Sequence, residues 1–85
     1  MRLEGRLFRS NLMIREATVE QPETGPLFVY NLEQALINLC RTIDSPLPIW
    51  LEKNTHEFAR FHQTIFFDGQ FTEKTDFDRF QIRLL

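Results

Sequence analysis

Residues 56–67 read HEFARFHQTIFF, two histidines, a glutamate and an arginine set among four phenylalanines, the densest collection of chemistry-bearing side chains in the sequence. His56 and His62 are six apart, which on a helix of 3.6 residues per turn leaves them roughly 120° from coincidence. They cannot share one ion as an i, i+4 pair does. A metal would need Glu57, Cys40 or another carboxylate brought in by the fold, and the spacing asks for none, so the expectation is no metal and no cofactor. The histidines read as exposed or helix-capping groups.

Covalent catalysis needs a serine, threonine or cysteine beside a positioned base. Cys40 is the sole thiol, and its place on an apolar helix stripe makes it a small core hydrophobe with a raised pKa. Ser10, Ser45, Thr55 and Thr64 stand at turns and caps without a GxSxG context. Asp76 and Asp78 flank Phe77, where an extended chain puts both on one face, a pattern that more often solvates a strand end than transfers protons. Gly5, Gly25 and Gly69 are too far apart to build a phosphate-cradling loop. No catalytic constellation emerges, and the expectation is a protein that is not an enzyme.

Eight of the ten basic residues are arginine. Guanidinium suits bidentate anion contacts and aromatic stacking, and arginine is enriched at interfaces. Arg2, Arg6, Arg9 and Arg15 lie in one N-terminal segment, so a β-ribbon gripping nucleic acid is one reading, with Phe8 free to stack on a base. Cross-strand pairing of these arginines with Glu4, Glu16 and Glu20 is the plainer one. A net charge of −2 and a pI near 5.6 favour it.

The elements that must position these groups follow from periodicity. RLEGRLFR, residues 2–9, alternates as a strand; Ser10-Asn11 suits a tight turn, and a second strand runs from Leu12 to about Glu20, with a bulge needed to reconcile the apolar run Leu12-Met13-Ile14. QPETGP, residues 21–26, is a loop. Leu32, Ala35, Leu36, Leu39, Cys40 and Ile43 mark a helix over about 31–44, with Asn31 as its cap and Ser45-Pro46 as its stop. Ile49–Leu51 reads as a short strand, and 55–63 as a short helix whose core stripe is Phe58, Phe61 and Ile65, leading into extended chain at 64–67. Phe66 and Phe67 then point to opposite faces. Phe80, Ile82 and Leu84 alternate with Arg79, Gln81 and Arg83 in a last strand.

The predicted architecture is a two-layer α+β domain spanning residues 1–85, a mostly antiparallel sheet of three to five strands, in the order β-β-α-β-α-β. The scaling law allows a folded area of roughly 5,300 Å², enough burial for one modest core. No apolar run approaches a membrane span or a signal peptide, so a soluble, cytoplasmic protein without membrane contact is expected. Aromatic residues make up 13% of the chain, more than one or two helices readily cover, and surplus apolar surface marks interfaces. The function expected is therefore a protein-protein interaction or self-associating domain, with a contact surface drawn from Arg2, Arg6, Phe8, Trp50, Arg60, His62 and Phe67. Nucleic-acid binding through the hairpin is the alternative, and an enzyme or metal site formed at an oligomer interface stands behind both. No motif is specific enough to name a family.

Overall fold

The computed structural model describes all 85 residues, and its N-terminal hairpin follows the alternation closely. Strands β1 (Arg2–Arg9) and β2 (Leu12–Glu20) are joined at Ser10 and Asn11, with φ of 52° and 67°, the left-handed pair that matches strand twist in a two-residue turn. Leu7 pairs with Arg15 while Phe8 pairs with Met13, so Ile14 is the extra residue of a bulge. The bulge separates Met13, facing Phe8, from Arg15, facing the helices.

The other elements are α1 (Phe28–Ile43), α2 (Glu52–Phe61), β3 (Gln63–Phe67), one 3-10 turn at Asp68–Gln70, and β4 (Arg79–Leu84). All strand pairs are antiparallel and the sheet order is β2-β1-β4-β3. This is the α+β, two-layer arrangement that the periodicity calls for, with one difference in the element order. Ile49–Leu51 forms no strand, because Pro46 and Pro48 remove two donors from its approach and Ile49 N–H donates instead to the Gln70 carbonyl at 2.6 Å. The third strand is instead β3, 63–67.

One sheet face carries Leu3, Gly5 and Leu7 of β1, Val19 of β2, Phe80 and Ile82 of β4, and Phe66 of β3, all buried against Leu32, Ala35, Leu36, Leu39, Cys40 and Ile43 of α1. An aromatic chain runs through this layer: Phe58 to Trp50, Trp50 to Phe66, Phe66 to Phe80, Phe80 to Phe77 and Phe77 to Phe71, with ring centroids 5.3–6.2 Å apart. The folded surface, 5550 Å², is close to the area the scaling law gives for one compact unit.

Leu39 of α1 packs directly over Gly5, where an added Cβ would lie 2.9 Å from both Leu39 Cδ2 and Phe80 Cε1. Both neighbours are fully buried and have nowhere to swing. Gly5→Ala should therefore be destabilising, because an overpacking cost of about 1–3 kcal/mol exceeds the roughly 0.4–1 kcal/mol gained from a less flexible unfolded chain. Urea unfolding checks this; an unchanged midpoint would show that α1 can back away freely.

Three expectations are corrected. Helix α1 begins at Phe28, not Asn31, whose buried amide reaches back to accept Thr24 N–H at 3.2 Å and to donate to the Gly25 carbonyl at 3.5 Å. Helix α2 begins at Glu52, because Asn54 Oδ1 accepts Leu51 N–H at 2.9 Å and so satisfies an exposed helix end from inside. Phe61 is not core but 60% exposed, and Ile65 is only half-buried, on the opposite sheet face. The chain reverses at His62, a left-handed C-cap with φ 56°, so the last turn of α2 overhangs the outer edge of β3 with no layer beneath it.

Candidate interaction surface

The parity of the strands decides where the basic and aromatic side chains go. Register places Phe67, Arg79, Phe8 and Met13 in one row across the uncovered sheet face, then Ile65, Gln81, Arg6 and Glu16, then Gln63, Arg83, Glu4 and Thr18, then Arg2 and Glu20. Four of the seven residues expected at a contact surface, Arg2, Arg6, Phe8 and Phe67, therefore share this face. Its charges are largely paired: Arg6 Nε lies 3.4 Å from Glu4 and 3.6 Å from Glu16, Arg83 Nε 3.7 Å from Glu4, and Arg2 Nε 4.0 Å from Glu20. Phe8 lies under the Arg79 guanidinium at 4.9 Å and Phe67 under the Lys53 ammonium at 5.0 Å. The result is a cross-strand charge ladder with its rings already stacked.

Arg15 leaves that ladder because its side chain is on the helix side. It donates through both terminal nitrogens to the Asp76 carboxylate, at 2.9 and 3.0 Å, and through Nε to the Ile43 carbonyl at the end of α1, at 3.0 Å. The hydrogen bonds from Arg15 hold the Asp76 carboxyl below its ordinary value of 3.8. A depressed folded-state pKa contributes stability above the unfolded value and loses it as pH falls through the folded one. Stability should thus decline on acidification through and below pH 3.8, and less so in Asp76→Asn, when urea midpoints are compared from about pH 6 to about pH 2. Equal acid sensitivity in the two proteins would show that this pair is not coupled to folding. The second aspartate, Asp78, accepts the Ser10 N–H at 2.9 Å and steadies the hairpin turn.

The remaining three expected residues lie elsewhere. Trp50 is half-buried on the helix side, its indole N–H donating to Thr55 Oγ1 at 2.8 Å. Arg60 rests over the exposed Phe61 ring at 5.5 Å, and His62 is the α2 cap. His56 is exposed, 3.4 Å from Glu52 one turn away. Burial pushes the Cys40 thiol up to about 12, leaving it protonated at neutral pH. No three histidine, cysteine, aspartate or glutamate side chains converge.

Two features had no counterpart in the sequence reading. One is a buried polar node: Asn54 Oδ1 accepts from Leu51 N–H and from Gln70 Nε2, both at 2.9 Å, while Asn54 Nδ2 donates to Thr64 Oγ1 at 2.7 Å and to the Ile65 carbonyl at 3.2 Å. Thr64 in turn donates to Glu57, and Gln70 donates to the Ile49 carbonyl and accepts from Phe67 N–H. This node locks residues 49–51, α2, β3 and the 3-10 turn into one body. Lys53 Nζ also bonds the Ile65 carbonyl, so α2 covers the outer edge of β3.

The other feature is apolar. Between α1 and residues 47–50 runs a groove of about 330 Å³, lined by Val29, Leu32, Leu36, Ile37, Leu47, Pro48 and Trp50, with Glu33 as its one charged wall. Leu27 and Val29 are 68% and 73% exposed, and Phe28, Tyr30, Leu47, Ile49 and Leu51 are also open to water. Seven of the twelve exposed large hydrophobics fall in these two short stretches, and two of them, Val29 and Leu47, line the groove. No family model, curated protein or solved structure matches this chain. The groove must therefore be read from its own chemistry. It lacks the convergent polar groups that orient a small ligand, and it is open along its length. The signal in the sequence was LFVY, residues 27–30, with Ile37: apolar residues beyond those needed for the stripe that faces the sheet.

Proposed function

We propose that this protein is a non-enzymatic interaction domain that binds a protein surface through the apolar groove between α1 and residues 47–51. The observation that carries this reading is the clustering of exposed hydrophobics there. With seven residues each leaving on the order of 100 Å² in water, residues 27–30 and 47–51 together expose roughly 700 Å² of hydrophobic residues, Val29 and Leu47 within the groove and the other five around it. Trp50, which lines the groove and packs edge-on against Phe58 and Phe66, supplies the rigid aromatic anchor that dominates such contacts. The contribution of the uncovered sheet face is smaller, because its arginines are matched by Glu4, Glu16 and Glu20. That pairing also weighs against nucleic acid, whose phosphates would have to displace each carboxylate.

The test is a photo-crosslinking amino acid placed at position 47 in one variant and at position 83, on the sheet face, in another, each expressed in its own cells. Discrete protein adducts from position 47 and none from position 83 are expected. Adducts from neither position, or from 83 alone, would overturn the reading.

A further inference from the structure

We infer that the surface meeting this groove is a second copy of the same chain, with α1 crossing its symmetry mate antiparallel at Ile37; this rests on the interaction reading above and names its partner. On the outer flank of α1, Glu33, Ile37 and Arg41 follow one another at i, i+4 and i+8. Such a row forms a ridge, and the commonest class of helix packing sets two of these ridges side by side at a crossing angle of about −50°. A two-fold axis beside Ile37 brings Glu33 of one copy level with Arg41 of the other, since each is four residues, about 6 Å, from the centre. The contact is self-complementary, so the same pair forms twice.

The charges suit this partner because both are free to pair across a two-fold axis. Glu33 and Arg41 are exposed, and neither has an ionic partner within its own chain, whereas the arginines of the sheet face do. A parallel arrangement in register would set Glu33 against Glu33 and Arg41 against Arg41, which like-charge repulsion disfavours. The antiparallel one also carries Val29 and Tyr30, near the start of one α1, towards the end of the other, where Leu47 emerges. The apolar patches beside the two ridges are thereby covered together.

The experiment is sedimentation equilibrium of the full chain over about 1 μM to about 1 mM, with charge-swapped variants. The wild type should pass from 10.2 kDa to twice that mass. Glu33→Arg and Arg41→Glu should each weaken association about tenfold or more, and the double variant should recover most of it. Recovery is diagnostic because the double swap opposes the α1 dipole and cannot gain through the monomer's own stability. Circular dichroism confirms that each variant folds. A wild type that stays at 10.2 kDa throughout, or a double variant no better than the singles, overturns this inference. Either result leaves the interaction reading standing if position 47 still crosslinks to another protein, and both fall together if it does not.

Discussion

Phe80→Ala should remove about 3–5 kcal/mol of stability, the range for deleting a fully buried aromatic ring. Phe80 has no exposed surface; it stands on the strand paired on both sides, opposite Leu7 and Phe66, with the rings of Phe66 and Phe77 5.8 and 6.2 Å away. Leu7 and Phe66, which could collapse into the vacancy, are held by their own strands, so most of the cavity should persist. Phe61→Ala is the control, the same chemical change at an exposed overhang, and should alter stability by about 0.5 kcal/mol or less. Urea unfolding of the two variants separates core from surface. A loss below about 1.5 kcal/mol for Phe80→Ala would mean that α1 closes the gap.

The second large effect belongs to Asn54. Asn54→Leu keeps the branched heavy-atom shape and removes four hydrogen bonds at a site with no exposure. The Ile65 carbonyl keeps Lys53, and Thr64 keeps Glu57 as its acceptor. The Leu51 N–H and one proton of Gln70 Nε2 lose their acceptor. One buried orphan donor on Gln70, at about 1–3 kcal/mol, and the lost cap bond to Leu51 N–H, at about 0.5–2 kcal/mol, give an expected loss of roughly 2–5 kcal/mol, only partly offset by the added apolar contact. Native-state hydrogen exchange should show α2 and β3 loosening together, since the node joins them. Undiminished protection in β3 would contradict that coupling.

Much of the layer facing the sheet was legible because burial there follows a period. Leu32, Ala35, Leu36, Leu39, Cys40 and Ile43 are all buried, and Phe66 and Phe67 do take opposite faces. Strand parity likewise gathered Arg2, Glu4, Arg6 and Phe8 on one face. Helix starts were not legible. Asn31 and Asn54 have the composition of caps or of a first turn, but what fixes each is a partner outside its own helix: Thr24 and Gly25 for one, Thr64, Ile65 and Gln70 for the other. The start of α2 and the reversal at His62 then set Phe61 off the sheet, which periodicity alone could not foresee. The groove was hidden for a related reason, since residues 27–30 resemble the core stripe of α1 in composition and differ from it in remaining exposed.

Trp50 is the only tryptophan in the chain and it lines the groove, so its accessibility to acrylamide reports directly on whether that surface is covered. Quenching measured beside solution mass, from dilute to concentrated protein, should fall as the mass doubles. A mass that doubles while Trp50 stays equally open to quencher would contradict the claim that this groove is where the protein meets its partner.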